Sequence, residues 1–232
     1  MRYPSASADA DANGITHPTK PISIVDINYP LFTIHYLLIH MRLIGITGGI
    51  GTGKSTVTNY LQTRYNLPIW DADIYARSAV AIGSPILSAI DLRYGDILQP
   101  DGTLDRPRLG EIIFNDINER QWLEAQIHPY VQNCFEIAIS QLALDGVAVL
   151  AIPLLFEAKM TDLTTEIWVV SCDRTTQLKR VMARDLIDET AANIRIDSQM
   201  PLADKIALAD VNLDNSTNIS DLEHQIDLQF KR

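Results

Sequence analysis

The most constraining stretch of this sequence is Gly48 to Ser55, GGIGTGKS, whose GxxxxGKS spacing is that of a phosphate-binding loop. Leu43, Ile44 and Ile46 before it form a short apolar run suited to a strand buried on both faces. Val57, Tyr60 and Leu61 after it recur at helical spacing. A strand therefore passes into a helix through glycines, and the loop can curl successive N–H groups around an anion at the positive end of the helix. The cradle so defined spans Gly49, Ile50, Gly51, Thr52, Gly53, Lys54, Ser55 and Thr56. Lys54 is placed to reach the β and γ phosphates of a nucleotide, and Ser55 to offer its hydroxyl to Mg²⁺. The plain alternative, a glycine-rich turn between a strand and a helix, leaves the lysine and the GxxxxGKS spacing unexplained.

The rest of the chain reads as an α/β framework on which this loop is one edge feature. Leu67 to Trp70 is a second strand, ending in Asp71, Ala72, Asp73. In doubly wound sheets ligands sit at the carboxyl ends of the strands, so these acids are expected on the edge that carries the loop. Asp71 is placed as a helix N-cap, the commonest use of an acid there, and Asp73 as the acid with a role in the site. Residues 103–145 carry helical periodicity without a strand: Leu109, Ile112 and Ile113, then Trp122, Leu123 and Ile127, then Val131, Cys134, Phe135, Ala138 and Leu142. Pro129, after His128, predicts a new helix or a kink, giving three short helices inserted in the βα framework. The apolar run GVAVLAI, Gly146 to Ile152, suits a central parallel strand, and it delivers Leu154 to Glu157 to the ligand edge. For Glu157 the sequence leaves substrate and structural roles equally open.

A fourth strand, Ile167 to Val170, leads to a helix from Arg174 with Leu178, Val181 and Met182 toward the core. Gln177, Arg180 and Arg184 share its other face, either solvated or turned to phosphate. Residues 185–205 are polar, include Arg195 and Lys205, and are expected to act as a mobile lid between two regular segments. Val211 to Leu213 is the last strand, and Ile219, Leu222, Ile226 and Phe230 mark a closing amphipathic helix.

Composition narrows the partners. A net charge of −10 over 232 residues provides no electrostatic footprint for nucleic acid or anionic membrane. Residues 1–40 differ from the remainder: Met1 to Lys20 is polar and aperiodic, and Ile22 to His40 is interrupted by Asp26 and Pro30. They are expected to be a largely disordered, dispensable extension, neither a membrane span nor a signal peptide, with the phosphate-loop domain over 41–232. Cys134 and Cys172 lie in apolar surroundings without metal-ligand spacing, which suits buried thiols in a reducing cytoplasm. Monomer or weak homo-oligomer is the expected state.

Phosphate loops occur in switch GTPases, ATP-driven machines and small-molecule kinases. No NKxD is present to read guanine, and the one DxxG, Asp11 to Gly14, precedes the loop, where it cannot sense a γ-phosphate. The acidic charge and small size disfavour a nucleic-acid motor. A nucleotide core, helical insertion and polar lid match a metabolite kinase; nucleoside kinases and a silent ATP-binding module are the competing readings.

Seven blocks in order resemble the dephospho-coenzyme A kinase family: IGITGGIGTGKST from Ile44, DADIYAR from Asp71, DGTLDR from Asp101, HPYV from His128, PLLFE from Pro153, QLKRVMAR from Gln177 and ADVNLDNS from Ala209. The resemblance covers residues 41–232. It implies a P-loop core with a five-stranded parallel sheet flanked by helices, a helical substrate insertion and a lid. It also implies transfer of the ATP γ-phosphoryl group to the ribose 3′-hydroxyl of dephospho-coenzyme A, with ATP and Mg²⁺ required. Lys54, Arg180 and Arg184 would carry the charge stabilisation, Asp73 would accept the proton, Arg77, His128 and Leu155 would contact the acceptor, and Asn215 the adenine. Ala151 departs from the family, many of whose members have an acid there, which leaves Ser55 and Asp73 as the neighbours of the metal.

Overall fold

The computed structural model describes residues 40–232, together with a two-residue antiparallel pairing of Asp9–Ala10 with Thr16–His17. The expectation for residues 1–40 falls almost entirely outside the described residues. Two compact units are formed, one from Met1–Trp70 with Leu142–Arg232 and one from Asp71–Gln141.

The main sheet of the first unit has five strands among the described residues: β1 (Arg42–Gly48), β2 (Ile69–Asp71), β3 (Val147–Ala151), β4 (Glu166–Ser171) and β5 (Val211–Asp214). Their order is β2-β3-β1-β4-β5, and the sheet is wholly parallel. Helix α1 (Lys54–Tyr65) follows β1. The register pairs Ile44 with Val149 across β1 and β3, Ile46 with Trp168 across β1 and β4, and Val170 with Leu213 across β4 and β5. A central parallel strand is covered on both faces, which explains why β1, β3 and β4 are apolar runs rather than alternating ones. With β1 flanked by β3 on one side and β4 on the other, its carboxyl end opens at the point where the chain changes direction across the sheet.

One face of the sheet packs Ile44, Ile46, Val149, Trp168 and Val170 against Val57 and Leu61 of α1 and against Leu222 and Ile226 of the C-terminal helix (Ile219–Phe230). Trp168 is fully buried, and its indole N–H donates to Glu166 at 3.1 Å, so the ring leaves no polar atom stranded. The two helices are further tied by Asp227, whose Oδ1 accepts from Tyr60 Oη at 3.0 Å and Tyr65 Oη at 2.7 Å. These hydroxyls hold the Asp227 carboxyl below its ordinary value, while burial and the same bond push Tyr65 up to about 12.

The second unit holds α2 (Ala72–Ala79), α3 (Pro85–Tyr94), α4 (Arg106–Asn115) and α5 (Ile117–Gln141). Its starts are chemically marked: Asp71 accepts from Asp73 N–H, Ser84 from Leu87 N–H with Pro85 in the first turn, and Asp105 from Arg108 N–H. Leu87, Ile90, Ile97, Leu104, Leu109 and Leu123 form its core.

Here the structure corrects the sequence reading. Residues 103–145 hold two helices, not three, and α5 runs through Pro129 for 25 residues. A proline inside a helix costs about 3 kcal/mol. The same helix buries Leu123, Val131, Phe135, Ile137 and Ile139, each contributing roughly 1.5–3 kcal/mol, so its apolar burial outweighs the lost hydrogen bond. Phe135 also meets Tyr75 edge-on at 5.1 Å.

The polar stretch 185–205, read as a connection between regular segments, is itself regular. Helix α6 (Arg174–Asp185) is followed by α7 (Glu189–Asp197) and α8 (Leu202–Ala207). Asp188 caps α7 by accepting from Ala191 N–H, and Ala192 and Ile196 join Val181 of α6 in a small apolar cluster. Cys134 and Cys172 are free thiols, both pushed up by burial.

Candidate active site

The phosphate loop leaves β1 at Gly48 and enters α1 at Lys54, with Gly53 as N-cap in a left-handed conformation, φ 100°. A Cβ at Gly53 would lie 2.1 Å from Asn215 Nδ2, so any side chain there is excluded by both backbone and space. The loop closes on itself through Thr52, whose N–H and hydroxyl both donate to Gly49 O, at 3.2 and 2.9 Å. The first turn of α1 contains no acid and no side-chain cap, so no side chain there offsets the helix dipole, while Thr56 N–H turns back to Gly53 O at 2.9 Å. Among the described residues Lys54 has no ion-pair partner, and the Ser55 side chain is exposed.

The residues after β5 and in α6 brace this loop. Asn215 is buried; its Nδ2 donates to Thr52 O at 2.8 Å and its backbone N–H to Ser171 O at 2.7 Å. Arg180 donates to Asn215 O at 3.1 Å and to Thr52 O at 3.5 Å. Its guanidinium is thus joined to the loop by two carbonyls. Arg184, one turn further on, is exposed and bonded to Asp185 at 2.7 and 3.1 Å, and Asp185 also takes Arg195 at 2.6 Å. The two guanidiniums hold the Asp185 carboxyl below its ordinary value. Leu155 is fully buried and packs on Gly45 of β1, so its side chain is part of the core. Glu157, for which two roles were open, pairs with Lys205 at 2.8 Å and accepts from Met200 N–H at 3.1 Å.

Within the second unit, Asp73 and Arg77 sit one turn apart on α2 and line a cavity of about 320 Å³ with Arg106 at the start of α4. Val80, Leu109 and Leu123 give it apolar walls. The arrangement suits a ligand with an apolar stretch and anionic groups near its end. His128 lies on α5 next to Pro129 and does not line this cavity. Arg106 was missed in the sequence, although the DGTLDR block ends on it, and Gln199 because a polar residue in a polar segment looks solvated; Gln177 was read only as a member of the Arg180 face and Lys205 only as part of the lid.

A family model described as dephospho-CoA kinase matches residues 42–221. A dephospho-CoA kinase from Synechocystis sp. is 59% identical over 186 residues, covering 80% of this chain and 92% of the relative. The chain belongs to the dephospho-CoA kinase family. A second family member, from Trichormus variabilis, is 55% identical over 188 residues, covering 81% of this chain and 95% of its own. Among solved structures, a Thermus thermophilus protein matches with a TM-score of 0.72 and 31% identity, covering 83% of this chain and 97% of that one. The dephospho-CoA kinase from Campylobacter jejuni matches with a TM-score of 0.61 and 25% identity, over 82% of this chain and 96% of its own. Across the dephospho-CoA kinase match lie the phosphate loop, Asp73, Arg77 and the Asn215 segment.

Proposed function

We propose that the chain transfers the γ-phosphoryl group of ATP to the ribose 3′-hydroxyl of dephospho-coenzyme A, giving coenzyme A and ADP. The observation that carries this reading is the intact phosphate loop, with a Lys54 ammonium that has no ion-pair partner among the described residues, inside a family match that spans residues 42–221. The acceptor oxygen attacks the γ phosphorus, the bond to the β–γ bridging oxygen breaks, and ADP leaves with that electron pair. Such a transfer asks little covalent chemistry of the protein; positioning and charge neutralisation supply most of the acceleration.

In this reading the N–H groups at the start of α1 and Lys54 hold the transferring phosphates, and Asp73 takes the proton of the acceptor hydroxyl. The carboxyl end of β2 lies on the same edge of the parallel sheet as that of β1, and Asp73 follows it by two residues, which supports the assignment. The 320 Å³ cavity takes the apolar arm of the acceptor, with Arg77 and Arg106 toward its anionic groups. Arg180, held at the loop by Thr52 and Asn215 carbonyls, is better placed than Arg184 to add charge at the nucleotide. Asn215 serves the adenine side of the site while bracing the loop.

Among the described residues no group of three or more His, Cys, Asp or Glu could hold a metal. Were Mg²⁺ carried by the nucleotide phosphates, the exposed Ser55 hydroxyl would be its protein ligand and Asp73 a neighbouring acid. When bound there, the ion neutralises charge on the β and γ oxygens. Within residues 185–205, the stretch read as the lid, the α7 segment closes over the transferring group and excludes water, while Lys205 at its end stays fixed in the interior. No helix among the described residues is long and apolar enough to cross a membrane.

The test is ADP release by the purified chain with ATP and Mg²⁺, comparing dephospho-coenzyme A with nucleosides and small alcohols. Turnover confined to dephospho-coenzyme A is expected. Turnover of another metabolite with none of this one would overturn the assignment.

A further inference from the structure

Ile50, at the outer bend of the phosphate loop, is held at every polar atom. Its N–H donates to Gln199 Oε1 at 2.8 Å, and its carbonyl accepts from Gln177 Nε2 at 2.8 Å. Its side chain packs on the cluster formed by Val181 of α6 and Ala192 and Ile196 of α7. Gln177 is only 2% exposed, and a Cβ at Gly49 would stand 2.6 Å from its Nε2, so the amide lies directly on the loop backbone. Gln199 comes from just beyond α7. One residue of the loop is therefore gripped from two sides by segments that follow β4.

From this geometry we propose that Gln177 and Gln199 are positioning residues for nucleotide binding, which fix the loop through Ile50 and couple the α7 segment to it. The direction of both bonds is set by the backbone: an N–H can only donate and a carbonyl can only accept. Gln199 must present its oxygen and Gln177 its NH₂. The Ile50 N–H is committed to a side chain, so it is a tether and not a phosphate donor. Freed of these bonds, the loop spreads over more conformations, and apparent affinity falls by the fraction of time spent in the binding-competent one. A loop that is competent about a tenth of the time binds about tenfold more weakly.

The inference rests on the kinase reading for turnover but not for nucleotide binding, and the experiment separates the two. In the full chain, Gln177→Met, Gln199→Met, Gln177→Glu and the double methionine variant are compared with the parent. The readouts are direct titration with a fluorescent ATP analogue, the KM for each substrate, and Tm. Each methionine variant should weaken nucleotide binding about tenfold, and leave the KM for dephospho-coenzyme A within about twofold and Tm within a few degrees. Because both act on Ile50, the double variant should be less than the product of the singles. Gln177→Glu, which sets a carboxylate against the Ile50 carbonyl, should be at least as damaging as Gln177→Met. Nucleotide affinity unchanged within twofold in both singles would overturn the proposal. So would parallel losses in both KM values and Tm, which mark a purely structural role. A parent that binds the analogue yet makes no coenzyme A would refute the kinase reading while the titrations still decide this one.

Discussion

Lys205 lends itself to a quantitative test because its charge has been taken wholly out of water. Its side chain is 0% exposed, and the ammonium is held by Glu157 Oε1 at 2.8 Å and Pro153 O at 3.2 Å. Thr47 of β1 donates to the same Pro153 carbonyl at 3.1 Å, so the pair fixes the loop after β3 between the central strand and α8. The partners differ in one respect: Glu157 retains 27% side-chain exposure. Removing one member of a buried pair costs about 3–5 kcal/mol, most of it from the charge left behind. Glu157→Gln leaves an ammonium that cannot reach water and should fall at the upper end, about 4–5 kcal/mol. Lys205→Met leaves a carboxylate that can rehydrate and still accept from Met200 N–H, which places it at about 3 kcal/mol or less. For a chain of this size 1 kcal/mol moves Tm by about 2–4 °C, so losses of roughly 8–20 °C and 6–12 °C are expected. Thermal unfolding by circular dichroism, with urea unfolding as a second measure, reads both. The double variant, lacking both charges, should be more stable than Glu157→Gln alone. Equal losses in the two singles, or a double variant worse than either, would refute the argument from exposure.

Three further expectations concern the loop, the fold and the base. Gly53→Ala should abolish measurable nucleotide binding and lower stability, since its Cβ would stand 2.1 Å from Asn215 Nδ2 at a φ of 100°; near-parental nucleotide titration would contradict this. Asp227 has its folded pKa lowered first by Tyr65, so the stability it contributes is present above its unfolded value near 4 and is lost as pH falls through the folded one. The stability gap between parent and Asp227→Asn, measured by urea unfolding, should therefore narrow from pH 6 to pH 3, and a gap that widens would contradict it. Asp73→Asn should lower turnover at least about a hundredfold with little change in nucleotide affinity, whereas Asp71→Asn, which still caps α2, should retain most activity; the reverse order would reassign the base.

What could be read in the sequence was what local chemistry dictates. The loop was legible because phosphate binding demands glycines, a lysine and a hydroxyl at fixed spacing, and the strands because burial on both faces forces continuous apolar runs. The cap by Asp71 followed from its place after a strand. The continuity of α5 through Pro129 was hidden because tertiary burial of Leu123 and Phe135 overrides a local preference. Gln177 and Lys205 were hidden for the opposite reason. Each sits among charged neighbours in sequence, and only the fold reveals that one lies on the loop and the other in the interior. Leu155, a residue of a resembling block, turns out to have its side chain packed in the core near Gly45, which its place in the block did not reveal.

The central claim is that the phosphate loop of this chain drives phosphorylation of dephospho-coenzyme A at the ribose 3′-oxygen. The most direct measurement is phosphorus NMR of the product formed by the parent and by Lys54→Ala from ATP, Mg²⁺ and dephospho-coenzyme A. The parent should give a new phosphomonoester on the 3′ oxygen with stoichiometric ADP, and a folded Lys54→Ala should be slower by orders of magnitude. A parent that forms no 3′-phosphate, or a Lys54→Ala protein that forms it at the parental rate, would contradict the account.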